Sequence, residues 1–216
     1  MTGGDRVLLS PDVGSASLKA AVRDPALRLH VDIAGSDGPD ARLSVTVPGG
    51  PPRAERCPGG WPGALDEVAG ALERHGLRPT AVAHRIVHGS PALDSARVAD
   101  DALLERLGAE ADRDPLHLPR QLQVVADARA HWPRCAEVLV PDGGCHRDLP
   151  DEAVTLPLPA EDRAAGLRRW GFHGLAVQSV VDLVGAPGST EAPAAADRSG
   201  SSVTGVRRGR VHACAG

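Results

Sequence analysis

Four short segments set polar side chains beside glycine at the ends of apolar runs: DVGSASLK (12–19), AHRIVHG (83–89), VLVPDGG (138–144) and RRWGFHGLA (168–176). Glycine lets the backbone approach a ligand, and a rigid strand aims the side chains that flank it. In the first segment a strand, a Gly-Ser turn and Lys19 form a phosphate cradle, in which turn amides, Ser15, Ser17 and a compact ammonium meet phosphate oxygens. Lys19 is the only lysine of a chain with 24 Lys and Arg residues. In the second, the planar fork of Arg85 suits a carboxylate or a phosphate. In the third, Asp142 follows a buried run and precedes two glycines, a place for a metal-associated or catalytic carboxylate as well as for an ordinary turn. In the fourth, His173 stands at a helix start, where an imidazole can donate to an anion held by helix amides. Read singly, each segment is better taken as a hairpin, a surface arginine with two ordinary histidines, a turn aspartate, or a helix-capping or core histidine. Together they are the equipment of phosphoryl transfer, which needs positioning and charge neutralisation more than covalent chemistry.

The elements that must position these groups follow from periodicity. RVLLS (6–10) reads as a buried strand, and SLKAAV (17–22) returns against it around Gly14. LRLHVDIA and RLSVTV alternate apolar and polar residues and add two strands, whereas 49–60 is rich in Gly and Pro and reads as a loop. PGALDEVAGALERHG has helical spacing with a stop at Gly76, and 79–89 is a strand. Residues 100–112 and 118–131 are amphipathic helices, 136–144 holds another buried strand, and a further helix begins near Gly174. Strands come first and then alternate with helices, which implies an α/β fold with a mixed central sheet flanked by helices. Residues 186–201 are low in complexity and read as a flexible loop before one more hairpin.

Composition narrows the function classes. The chain has 216 residues, 42% apolar but only 2% aromatic, so Val, Leu, Ala and Ile must build the core. Abundant Arg, Ala, Gly and Pro suggest GC-rich coding, which accounts for the rarity of lysine but not for its position. A net charge of −4 offers no basic field for nucleic acid. No apolar run is long enough for a membrane span, and the N-terminus lacks the pattern of a signal peptide. A cytoplasmic protein with Cys57, Cys135, Cys145 and Cys214 as free thiols is the expectation.

Taken in order, the segments resemble the acetate kinase family of the sugar kinase, heat-shock chaperone and actin superfamily. The family's Gly-Ser-Ser-Ser-Leu-Lys element appears as GSASLK, its His-Arg-Val-Val-His-Gly as HRIVHG, and its Pro-Leu-His-Asn-Pro as PLHLP (115–119). Its Phe-Asp-Thr strand end appears as PDG, its Tyr-Gly-Phe-His-Gly as WGFHG, and SVTGVRRGR (202–210) resembles the hairpin after its phosphate loop. The resemblance implies an actin-like ATPase (ribonuclease H-like) fold. It also implies transfer of the γ-phosphoryl of ATP to acetate or another short carboxylate, with Mg²⁺. Lys19, Ser15 and Ser17 would hold nucleotide phosphate and Asp12 the metal. Arg85 would hold the carboxylate or the migrating phosphoryl group, and Val87, Leu116 and Phe172 would accommodate the methyl group of the acid. Asp142 and His173 would be catalytic. Homodimerisation is a further family trait.

The chain departs from the family pattern at Asp12 (Asn), Ala16 (Ser), Leu118 (Asn), Pro141 (Phe), Gly143 (Thr) and Val177 (His), and the phosphate loop falls on ADRSG (196–200). Only the family's N-terminal half is matched. The expected organisation is an acetate kinase-like domain over 1–185, a flexible loop over 186–201 and the start of a truncated second domain over 202–216. Such a chain would be weak or inactive alone. It could instead be a non-catalytic remnant, a partner-binding half, or one chain of a split enzyme.

Overall fold

The computed structural model describes residues 7–14, 16–35, 38, 40–57, 60–89, 91–169, 171–185, 202–207 and 210–214, the last two segments as backbone only. Ser15 and the loop expected over 186–201 lie outside the described residues. In chain order the elements are β1 (Leu8–Val13), β2 (Ser17–Asp24), β3 (Ala26–Ala34), β4 (Arg42–Thr46), β5 (Arg53–Arg56), α1 (Ala64–Arg74), β6 (Ala81–Ile86) and β7 (Arg97–Val98). There follow α2 (Asp101–Ala109), α3 (Leu118–His131), β8 (Ala136–Pro141), α4 (Asp151–Val154), α5 (Ala160–Ala164), α6 (Gly174–Gly185), β9 (Ser202–Arg207) and β10 (Arg210–Cys214). Contacts divide the chain into two units. One runs to Ile86 and includes Ala96–Val140; the other joins Val87–Ser95 to the residues from Pro141 onward.

The first unit is built on an eight-stranded sheet ordered β5-β4-β3-β2-β1-β6-β8-β7. β1 pairs antiparallel with β2 across the short Gly14 turn and parallel with β6. The parallel pair requires a long connection, and β2 to β5 with α1 supply it. The sheet is therefore mixed, as expected. Strict alternation sends Leu9, Val13, Leu18, Ala20, Val22, Leu29, Val31, Ile33, Leu43 and Val82 into the core. Helices α1 and α3 cover that face with Leu65, Val68, Ala71 and Leu72 from one and Val124 and Ala128 from the other. Asp66 and Glu67 in the first turn of α1 favour its dipole, and Gly76 just beyond it takes φ +65°, a conformation that glycine adopts without strain. At α2, Asp100 caps the helix by accepting from the Leu103 amide at 2.7 Å.

Residues 49–60 are not wholly a loop. Arg53–Arg56 form β5, paired antiparallel with β4. All four residues are exposed, so this edge strand carries no apolar alternation. Backbone pairing alone defines it, and the charged side chains guard the edge.

In the second unit a 3-10 turn, Asp142–His146, begins where β8 ends and packs against α6. Val154 of α4 is buried, and its carbonyl accepts from the Arg169 amide at 2.8 Å. β9 and β10 pair antiparallel, as the hairpin expected near 202–210.

Candidate active site

Opposite residues on neighbouring antiparallel strands share a sheet face. Asp12 of β1 stands opposite Lys19 of β2, Lys19 opposite Asp32 of β3, and Asp32 opposite Ser44 of β4. On the other side of β1, the parallel register brings β6 alongside, and Arg85 Nη1 donates to Asp12 Oδ1 at 2.8 Å. Arg85, Asp12, Lys19 and Asp32 thus form a row of alternating charge on the sheet face away from the apolar core. Its side chains are partly accessible, 25% for Arg85 and 42% for Asp12. Ser17 joins this polar face at the turn. The Gly14 amide donates to the Ser17 carbonyl at 2.8 Å, and a Cβ at Gly14 would stand 3.0 Å from the Ser17 hydroxyl. Asp12 and Lys19 of the first segment and Arg85 of the second are therefore brought together by sheet register, with Ser17 nearby on β2.

Beneath Arg85, on the core face, lies a polar cluster that the motifs did not announce. His84 is 2% exposed and its Nε2 stands 3.8 Å from Glu137 Oε2 on β8. Arg129 of α3 approaches the same oxygen through Nε at 3.4 Å, donates to Asp101 at 2.7 Å, and bonds the Ala99 carbonyl. Burial, reinforced by the Arg129 charge, lowers the His84 pKa to about 4, so the imidazole is neutral near pH 7. Burial pushes Glu137 upward, and Arg129 opposes that shift. The only sequence signal for the cluster is the alternation that places His84 in phase with Val82 and Ile86.

In the second unit Asp142 is fully buried at the head of its turn. Glycines make room for that turn. A Cβ at Gly174 would stand 2.0 Å from the Asp142 carbonyl oxygen, and one at Gly171 would stand 2.0 Å from the His146 ring. A Cβ at Gly89 would meet the Leu93 carbonyl at 2.2 Å and Pro141 at 3.0 Å. His146, also buried, places Nε2 3.3 Å from the Phe172 carbonyl oxygen. The next residue, His173, has φ +57°, and its carbonyl accepts from the Val177 amide in the first turn of α6. His173 accordingly stands at the start of α6, where the sequence put it. Few non-glycine residues take this backbone conformation, and such residues concentrate at functional sites. His146 was missed because nothing local distinguishes it from a surface histidine. Cys145 lies on the same turn. Burial, then the negative charges of Asp182 and Asp142, push its thiol pKa upward.

Of the expected apolar pocket, Val87 is partly buried and Phe172 45% exposed in the second unit, while Leu116 is 68% exposed in the first. Among the described residues Cys57, Cys135 and Cys145 form no disulfide. Among the described residues no helix is long and apolar enough to cross a membrane, and no three His, Cys, Asp or Glu residues gather as a metal cluster.

The Acetokinase family model matches residues 8–212. Acetate kinase 2 of Neisseria meningitidis serogroup B is 31% identical over 186 residues, covering 82% of this chain and 46% of that protein. Propionate kinase of Klebsiella pneumoniae is 30% identical over 213 residues, covering 94% of this chain and 53% of that one. The chain spans about half the length of the curated relatives it matches. Its fold is that of a propionate kinase from Francisella tularensis, with TM-score 0.74 at 18% identity over 82% of this chain and 47% of the other. An acetate kinase from Entamoeba histolytica superposes with TM-score 0.67 at 21% identity, over 82% and 45%. The mixed sheet with flanking helices is thus the actin-like ATPase fold of these kinases. With the model matched from β1 to within β10 and the motifs in the same order along the chain, this protein belongs to the acetokinase family.

Proposed function

We propose that the chain carries the carboxylate-binding and phosphate-facing residues of a phosphotransferase that moves the γ-phosphoryl group of ATP to acetate or another short carboxylate. The observation that carries this reading is the alternating row Arg85–Asp12–Lys19, set on an accessible sheet face in a chain of this family. In the transfer, a carboxylate oxygen of the substrate attacks the γ-phosphorus as the bond to the β–γ bridging oxygen breaks. Acyl phosphate and ADP result. The nucleophile is already ionised at neutral pH, so the step needs no general base. The protein supplies position and charge.

Arg85 holds the carboxylate. Lys19, with Ser15 and Ser17, faces nucleotide phosphate. Asp142 is the catalytic carboxylate, and His173 stabilises charge on the transferring group. Val87, Leu116 and Phe172 accommodate the alkyl group, and a pocket of that kind discriminates between acids differing by one methylene by about tenfold or somewhat more. Asp12 is a partly exposed carboxylate, which fits a cation that binds through one or two carboxylates and the substrate phosphates. It would hold Mg²⁺, which neutralises charge on the β- and γ-phosphates when bound. A cytoplasmic setting, where ATP is present and thiols stay reduced, accords with this reading.

The test is hydroxamate formation from purified chain, ATP, Mg²⁺, acetate and hydroxylamine, with Asp142→Asn and Arg85→Ala as controls. Signal lost in both controls supports the reading, and an activity indifferent to both would sink it. Val180, Leu183 and Val184 of α6 are exposed, which favours a second reading in which further polypeptide covers this helix and completes the enzyme. In that case the chain alone gives no hydroxamate yet still binds acetate through Arg85.

A further inference from the structure

We infer that Asp12 is an internal carboxylate ligand of Arg85 and sets the affinity of the site for carboxylate substrates. The inference rests on the proposed role of Arg85. A guanidinium is matched to carboxylate geometry, and it does not distinguish a carboxylate of the chain from one in solution. Here Nη1 of Arg85 already donates to Asp12 Oδ1 at 2.8 Å. The pairing is built in: the two residues lie 73 positions apart and meet because β1 and β6 are adjacent parallel strands. Neither side chain is sealed off, at 25% and 42% exposure, so an external carboxylate can reach the pair.

Displacement has a defined destination. Lys19 stands directly opposite Asp12 on β2, with Asp32 beyond it on β3. When a substrate carboxylate takes the Nη1 donor, Asp12, 42% exposed, turns to solvent with Lys19 on the neighbouring strand, so it is not left buried and uncompensated. The alternating row therefore permits exchange at Arg85 while opposing it. An incoming anion must compete with Asp12 at Nη1 and approach against its charge. Both effects weaken carboxylate binding without abolishing it, and the apparent affinity scales with the fraction of Arg85 released. An aspartate at this position thus makes the chain a low-affinity carboxylate site, suited to high substrate concentrations.

The experiment measures acetate binding by ligand-observed NMR in metal-free, nucleotide-free buffer. The proteins are the unaltered chain, Asp12→Asn, Asp12→Ser, Arg85→Ala and the Asp12→Asn/Arg85→Ala double variant. The expected result is about fivefold tighter binding in Asp12→Asn, the scale of one accessible ion pair. Asp12→Ser should also gain affinity, which covers the case that the asparagine variant folds poorly. Binding should vanish in both proteins lacking Arg85. Loss of a merely structural ion pair would not raise affinity. Unchanged or weaker binding in the Asp12 variants, with dependence on Arg85 retained, would overturn the inference and leave the carboxylate role of Arg85 standing. Absence of acetate binding in every protein, or binding that survives Arg85→Ala, would overturn both.

Discussion

The Nε2 atom of His146 lies 3.3 Å from the carbonyl oxygen of Phe172, so the turn that opens with Asp142 is tied to the residue preceding His173. The tie works only because Gly171 has no side chain, since a Cβ there would stand 2.0 Å from the His146 ring. Gly171→Ala should destabilise the fold by about 2 kcal/mol or more through overpacking. Gly143→Ala, beside Asp142 but with open space around it, should stay within about 0.5 kcal/mol of the unaltered chain. Urea unfolding of the two variants separates these outcomes, and equal losses would contradict the packing described.

The His84 cluster should make stability fall in weak acid. Its folded-state pKa, about 4, lies below the unfolded value near 6.5, so the unfolded chain binds more protons between those limits. The stabilisation is fully present above about pH 6.5 and is lost as pH falls toward 4, to the order of 3 kcal/mol. Glu137, shifted upward, works in the opposite sense and moderates the loss. Chemical unfolding of the unaltered chain and of His84→Gln at pH 7, 6 and 5 should show the slope in the first and a shallower one in the second.

Cys135 and Cys145 should alkylate slowly. For Cys135 burial and then the Glu137 charge raise the thiol pKa; for Cys145 burial comes first, followed by Asp182 and Asp142. Iodoacetamide labelling at pH 8, read by peptide mass spectrometry, should lag behind a free cysteine peptide at both sites. Asp142→Asn should speed the reaction at Cys145, because it removes one of the charges that oppose the thiolate.

Lys19 should matter for phosphate and not for folding, since its side chain is exposed and sits on the polar face. Lys19→Gln should weaken ATP binding by about tenfold, the scale of one charge-assisted contact. Lys19→Arg should restore part of that loss, because it keeps the charge but not the compact ammonium. Equilibrium dialysis with labelled ATP measures both, and nucleotide binding indifferent to Lys19→Gln would remove Lys19 from the site.

Much of this protein was determined by local sequence. The strands β1 to β4 and β6, with alternation legible along β3 and β4, the return at Gly14, the stop of α1 at Gly76 and the position of Asp142 past β8 follow from periodicity and turn chemistry, which act over a few residues. The order of the motifs was enough to reveal the family. Tertiary structure decided the rest. Which carboxylate meets Arg85 depends on the register of two strands far apart in the chain, and no spacing within either strand encodes that choice. The burial of His84 against Glu137 and Arg129, the contact of His146 with Phe172, and the pairing of β5 likewise depend on what packs alongside. A side chain's chemistry is written in its own residue type, whereas its partner is set by the fold that brings a distant segment within a few ångströms.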